Sequence, residues 1–411
     1  MKKNFAVFLL SIFTILFISS CSPSKKFTNE NGKDIIEVKL PTIKNEIRVL
    51  LAEKNTSLTL YQKTTAILFT DEHKIRINPN ESILIKNENN KLKIRINDKV
   101  LECSKTEIVC ADKNNSLNYD NRNYTGILQL ASDENNIQVI NILALDDYLK
   151  GVIPAEMPLG NGTDYNEALK AFAICARTYA LSRINKENNF DVYSDVRDQA
   201  YGGAAQENDL INKIINDTKD MILTYDDKPA IIYYSSTCGG RTEDAQNVFT
   251  DEQIPYLISI KDGEPPNCSI SPRFNWQVKF SKEDFINYLM DAELIKNENV
   301  SLKGIKIKSR FPSGRINELQ ITFNENGIEN HVSLYGNNIR SIIKNSNNGI
   351  LYSNNFTVSI NRDEIILNGK GFGHGVGLCQ WGAIAQSKRG VNYKKILNFY
   401  FPGTRVEKIN D

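Results

Sequence analysis

The chain has 411 residues, 41% of them apolar, which is enough for two or three globular domains of ordinary size. Lysine and arginine number 50 against 49 aspartates and glutamates, a net charge of +1. With no basic excess, nucleic acid is not expected as a partner.

The first element is a targeting segment. Lys2 and Lys3 precede an apolar run from Phe5 to Ile18, the charged start and short apolar stretch of a secretory signal. The run falls short of the roughly 20 residues that a transmembrane helix needs. It ends in Ile18-Ser19-Ser20-Cys21, which resembles a bacterial lipobox, where a small residue precedes a cysteine that is cleaved at and diacylated. Residues 1–21 are therefore read as a lipoprotein signal peptide with Cys21 as the lipid anchor, because acyl chains hold a terminus at a membrane without spanning it. The expected location is the cell envelope, exported and lipid-anchored, with a membrane contact through the N-terminal lipid. Residues 22–45 are polar and charged and read as a tether.

Residues 46–130 form a strand-rich N-terminal region. Ile47 to Leu51, Lys74 to Ile77 and Lys91 to Ile96 alternate or cluster apolar residues between Asn-rich turns. Leu101 to Cys110 reads as a hairpin turning near Ser104 to Glu107, so that Cys103 and Cys110 either face each other as a disulfide or stay as two buried thiols. The clearest helix has apolar residues at Leu169, Phe172, Ala173, Ala176 and Ala180. Asp164 and Glu167 have the spacing of a capping box at its start, and Cys175 is expected to be a small buried residue within it. Ser281 to Lys296 reads as a second amphipathic helix and Lys303 to Phe323 as a hairpin around Pro312-Ser313-Gly314. Asn338 to Lys344 reads as a short helix, and Asn392 to Tyr400 as a last one that stops before Pro402. The fold class is α+β, a strand-rich mixed core with a few helices.

Several segments carry residues suited to chemistry. In Gly151-Val152-Ile153-Pro154-Ala155-Glu156-Met157-Pro158 two prolines bracket one carboxylate among apolar neighbours. Proline restricts the backbone and an apolar setting raises a carboxyl pKa, so Glu156 is either a positioned general acid or a solvated loop residue. Arg177 borders the apolar face of the clear helix, close to Tyr179, and is read as a ligand for a sugar or carboxyl group or as a snorkelling edge residue. Gln199 and Tyr201 supply hydrogen bonds and a flat stacking face, which carbohydrate pockets need, or else a polar turn. Ser235-Ser236-Thr237-Cys238-Gly239-Gly240 is a hydroxyl-rich turn without the Gly-x-Ser-x-Gly pattern of a nucleophile, and Ser236 is taken as a binding candidate. Cys238 reads as a disulfide or buried residue, with Cys268 as a reasonable partner. Gly369 to Gly382 alternates glycines around His374, Gln380 and Trp381, which offer a proton-active ring, an amide and a stacking surface. It matches neither a phosphate loop nor a dinucleotide fingerprint. No Cys-x-x-Cys occurs and the three histidines, His73, His331 and His374, are scattered, so a zinc site of the usual spacing is not expected.

Together these segments resemble the SpoIID/LytB family, named for sporulation stage II protein D and an amidase enhancer. The matching pieces are Gly151 to Pro158, Glu167 to Leu181, Asp198 to Gly203, Tyr234 to Glu243, Gly369 to Ala383 and Ile396 to Thr404. The resemblance implies a catalytic domain over 131–404, with a catalytic helix following the Pro-Ala-Glu-Met-Pro loop and a β/α insertion at about 251–365. It implies lytic transglycosylase activity on peptidoglycan glycan strands, cleaving between MurNAc and GlcNAc, with Glu156 as the catalytic acid. Arg177, Tyr179, Gln199, Tyr201, Ser236, His374, Gln380 and Trp381 are then the substrate-binding candidates. The amidase-enhancer branch implies the alternative, a non-catalytic peptidoglycan-binding module with a cell-wall amidase as partner. Some members carry a structural zinc held by Cys and His near the Cys-Gly-Gly turn. Arg241 stands here where a His often stands, so no metal or other cofactor is expected.

Overall fold

The structure, a computed structural model, describes residues 38–160, 162–206, 208–296, 300–362 and 364–409. The signal peptide, Cys21 and most of the tether lie outside the described residues. Glu46–Asn55 starts a seven-stranded sheet, in the order Val192–Tyr193, Glu46–Asn55, Asn136–Ala144, Ile127–Asp133, Lys105–Cys110, Ala66–Phe69, Lys74–Ile77. Neighbours are antiparallel except for the short Val192–Tyr193 strand, which runs parallel to the first. Asn136–Ala144 is buried almost continuously from Ile137 to Leu143, as a strand covered on both faces must be.

A second sheet of four strands, Ser57–Tyr61, Ser82–Glu88, Lys91–Ile96 and Lys99–Cys103, packs on the first. In Lys91–Ile96, Leu92, Ile94 and Ile96 point inward and Lys91, Lys93 and Arg95 outward, the period of two that the sequence shows. Its hairpin turns on Asn89 and Asn90, both at positive φ (55° and 60°), the conformation that a two-residue turn between twisted strands requires. The expected Leu101–Cys110 hairpin does not form. Lys99–Cys103 belongs to the four-stranded sheet and Lys105–Cys110 to the seven-stranded one, so the chain crosses between sheets at Ser104. Cys103 and Cys110 are consequently both free thiols, and Cys110 lies beside the Thr64 hydroxyl.

Seven α-helices follow among the described residues: α1 (Leu145–Glu156), α2 (Asn166–Arg183), α3 (Asp209–Asp217), α4 (Lys282–Asp291), α5 (Asn338–Ile342), α6 (Gln380–Lys388) and α7 (Tyr393–Tyr400). Helix α1 corrects the sequence reading, because Gly151 to Glu156 is its last part rather than a loop, with Pro154 inside it. Leu145, Tyr148, Leu149, Val152 and Ile153 are all buried, an i, i+3, i+4, i+7, i+8 stripe that drives the helix. Its core-facing stripe outweighs the proline signal.

Helix α2 is buried from Ala168 through Ala180 apart from Lys170, and its alanines allow α1, α3, α6 and α7 to pack closely around it. The expected capping box is absent. Tyr165 is the N-cap without a side-chain cap bond, and the Glu167 carboxylate instead accepts the Tyr393 N–H at 2.8 Å, tying α2 to α7.

A second hydrophobic core is assembled from Val278 to Leu367. It comprises a three-stranded sheet (Asn275–Ser281, Glu364–Lys370, Phe356–Ile360), another (Val300–Arg310, Ile316–Glu325, Ile328–Tyr335), and helices α4 and α5. Helix α4 begins with a true capping box of Ser281 and Asp284. Helix makes up 22% and strand 39% of the described residues, a strand-rich α+β fold. No helix among the described residues is long and apolar enough to cross a membrane.

Candidate active site

Glu156 is the last residue of α1 and is half-buried. Its Oε1 accepts the backbone N–H of Ala200 at 2.7 Å, and the side chains of Gln380 and Tyr234 are donors that face the carboxylate and favour its charged form. Burial nevertheless dominates and pushes its pKa above 4.5, with the three donors pulling the other way. Its place at a helix C-terminus acts in the same direction as burial, since that end of the dipole disfavours an anion.

The donors reach Glu156 from three distant segments through local pairing. Tyr234–Ser235 is a short strand parallel to Leu378–Cys379, with Tyr234 opposite Leu378 and Ser235 opposite Cys379. That register brings the start of α6, at Gln380, next to the Tyr234–Ser235 strand. Behind them Gln199 is fully buried. Tyr148 donates to Gln199 Oε1 at 3.2 Å, and Gln199 Nε2 donates to the Tyr234 oxygen at 3.1 Å. The Tyr234 proton is thereby directed at the carboxylate.

His374 serves the backbone. Its Nε2 donates to the Tyr234 carbonyl at 2.8 Å and its Nδ1 accepts the Val376 N–H at 3.1 Å, which fixes a neutral ring. Burial, reinforced by the charges of Arg340 and Arg315, drives its pKa down to about 3. The glycine loop is close-packed around it. A Cβ at Gly375 (φ +82°) would fall 2.0 Å from Arg315 Nη2, and one at Gly377 (φ +71°) 2.1 Å from the Tyr233 carbonyl oxygen. The Trp381 N–H donates to the Ser236 carbonyl at 3.0 Å. Trp381 and Ser236 are half-buried in this turn, and the Ser236 hydroxyl lies 3.3 Å from that of Thr237.

Three expected sugar ligands lie in the interior instead. The Arg177 guanidinium is 1% exposed and donates to Asp146 Oδ1 and to the carbonyls of Thr218 (2.8 Å) and Met221 (3.1 Å), locking α2 to the start of α1 and the end of α3. Tyr201 packs its ring 5.1 Å from that of Tyr148 and donates to Asn141 Oδ1 at 2.8 Å. Tyr179 donates to Asp198 Oδ1 at 2.7 Å beneath Arg183. The hydrogen-bonding groups of Arg177, Tyr201 and Tyr179 are thus taken up by protein partners, and Gln199 bonds Tyr148 and Tyr234. The sequence reading did not single out Tyr234, because a tyrosine ending an apolar strand has no distinguishing pattern.

Next to this site a cluster of side chains unites Cys238, Asp262, Cys268 and Cys379, all buried. Of the two readings of Cys238, disulfide or buried residue, the structure has the buried residue, a free thiol 3.5 Å from that of Cys268. Arg315, equally missed by the sequence reading, comes from the second core to donate to the carbonyls of Cys238 (2.8 Å) and Arg241 (3.1 Å).

Fold and site define an α+β protein whose helical layer presents one half-buried carboxyl ringed by hydrogen-bond donors. Residues 133–225 match the stage II sporulation protein family, SpoIID. Residues 264–377, which include the second core, match a domain of unknown function, DUF8618. The chain belongs to the SpoIID/LytB family. An uncharacterized protein of Brachyspira hyodysenteriae is 33% identical over 291 residues, covering 70% of this chain and 73% of that one. Stage II sporulation protein D of Bacillus subtilis is 29% identical over 288 residues, 66% of this chain and 76% of the relative. The amidase enhancer of Bacillus subtilis is 28% identical over 304 residues, 63% of this chain but only 40% of its own length.

Proposed function

We propose that this chain has a cell-wall role as a lipid-anchored lytic transglycosylase acting on peptidoglycan glycan strands, with Glu156 as the single acid and base. The observation that carries the reading is the state of Glu156: half-buried, with a raised pKa and three fixed donors, none of the groups that shift it being another carboxylate. A hydrolase of the usual kind needs a carboxyl pair. One carboxyl suffices when the nucleophile belongs to the sugar. Protonated Glu156 gives its proton to the glycosidic oxygen as the bond from MurNAc C1 breaks. The resulting carboxylate takes the proton of the C6 hydroxyl as that oxygen bonds to C1. The product is a 1,6-anhydro sugar, no water is consumed and Glu156 regains its proton.

In this reading Ser236 and Trp381 meet the glycan, while Gln380, His374, Gln199 and Tyr234 hold Glu156 and its donors in position. Envelope anchoring rests on the lipobox at Cys21. Incubating purified glycan strands with the mature chain and with Glu156→Gln, then looking for anhydro ends by mass spectrometry, tests the proposal. The likeness to a protein named amidase enhancer favours a second reading, a non-catalytic glycan-binding module that stimulates a cell-wall amidase. In that case the wild type produces no anhydro ends.

A further inference from the structure

Three cysteines and an aspartate spread between residues 238 and 379 offer four ligand atoms within 4.8 Å of one another, all buried. The Cys238 and Cys268 sulfurs are 3.5 Å apart. Tetrahedral zinc with bonds of about 2.3 Å to sulfur and about 2.0 Å to oxygen sets its ligand atoms roughly 3.5–3.8 Å apart. The set is already oriented. Tyr400 donates to Asp262 Oδ1 at 2.6 Å and the Cys268 N–H to Oδ2 at 2.8 Å, and the Cys238 N–H points at the Cys379 sulfur at 3.1 Å. Such outer contacts are what hold metal ligands in place. Three thiolates and a carboxylate around a divalent ion leave a net negative charge, and the fully buried Arg315 guanidinium beside the cluster offsets part of it. The residues therefore fit a soft divalent metal.

We propose that Cys238, Asp262, Cys268 and Cys379 form a closed zinc site that fastens the base of the second core to the main one. Four protein ligands leave no open position, which makes the site structural rather than catalytic. Zinc binding displaces the thiol protons. Cys268 precedes and Cys379 follows the second core, Val278 to Leu367, so one ion clasps both of its connections. Cys379 also immediately precedes Gln380 and pairs through its strand with Ser235. The ion thus fixes two of the segments that face Glu156, and this positioning role rests on the function proposed above.

The test is metal content of the full chain purified under reducing conditions. One zinc per chain is expected by plasma mass spectrometry, released when a mercurial reagent titrates the thiols. Cys379→Ser and Asp262→Asn should weaken zinc binding by about tenfold or more, and Cys103→Ser should leave it unchanged. Should those variants fail to fold, the wild type decides alone: cobalt(II) added to the metal-free chain should give the visible spectrum of a tetrahedral thiolate complex, and zinc should raise its melting temperature. A wild type without metal and without that spectrum, or zinc content unchanged in Cys379→Ser, overturns the site, as does a Cys238–Cys268 disulfide in the protein isolated from cell envelopes. Glu156→Gln should retain full zinc, so failure of the metal site and failure of the glycan-cleaving reading are told apart.

Discussion

Replacing Tyr234 by phenylalanine tests how the surroundings of Glu156 tune its carboxyl. The Gln199 amide fills the acceptor side of the Tyr234 hydroxyl at 3.1 Å, so the hydroxyl proton bonds the carboxylate and lowers its pKa against the larger effect of burial. The substitution removes one hydrogen bond to a charged acceptor, about 1.5–3 kcal/mol. At about 1.4 kcal/mol per pKa unit, Glu156 should rise by a further ~1–2 units. A general acid works in its protonated form, so activity is lost as pH rises through the pKa. The alkaline limb of the kcat/KM profile for anhydro-end formation should therefore move up by ~1–2 pH units. Carbon-13 NMR titration of the Glu156 carboxyl measures the same shift without turnover. The variant also leaves Gln199 Nε2 buried without its acceptor, a cost of about 1–3 kcal/mol in stability. An alkaline limb and carboxyl titration that stay in place, or move down, would refute the hydrogen-bond chain.

Other outcomes follow from the same contacts. Arg177→Met should destabilise by about 2–4 kcal/mol in urea unfolding, chiefly by stranding the buried carbonyls of Thr218 and Met221. The Asp146 partner is 35% exposed and contributes less; a change below about 0.5 kcal/mol would contradict the structural role. Because the folded pKa of Glu156 lies above its ordinary 4.5, its effect on stability is absent below the unfolded value and grows as a penalty as pH rises through the folded one. Glu156→Gln should thus melt at or above the wild type at pH 8, with the advantage vanishing in acid, and a wild type favoured at alkaline pH would oppose the assignment. Cys21→Ala should release the chain from membranes or leave the precursor uncleaved, and a processed, membrane-bound variant would place the anchor elsewhere.

What the sequence disclosed, and what it hid, follows from the range of the forces involved. The alternation in Lys91–Ile96 and the amphipathic spacing of α4 are local and were readable, as was the hairpin around Pro312-Ser313-Gly314. Pro154 misled because the stripe from Leu145 to Ile153 makes the segment a helix despite the ring. At the site, Glu156, Gln380 and Gln199 were visible as motif residues, but their grouping depends on the parallel pairing of Tyr234–Ser235 with Leu378–Cys379, which no local pattern encodes. Arg177 and Tyr201 misled in the opposite sense, since a polar side chain at the edge of an apolar stripe reads the same whether a sugar or a buried carbonyl receives its hydrogen bond. The four-residue thiol and carboxylate cluster escaped because Cys238, Asp262, Cys268 and Cys379 come together from distant parts of the chain, whereas zinc motifs are recognised by short spacing.

The central claim is that Glu156 alone carries out glycan cleavage without water. The most direct measurement is mass spectrometry of purified glycan strands digested by the wild-type chain and by Glu156→Gln in water enriched in oxygen-18. The account predicts 1,6-anhydro ends without the heavy label from the wild type, and a rate lower by a factor of about 100 to 10,000 in the variant, with folding retained. Labelled reducing ends, or anhydro ends formed by the variant at the wild-type rate, would contradict it.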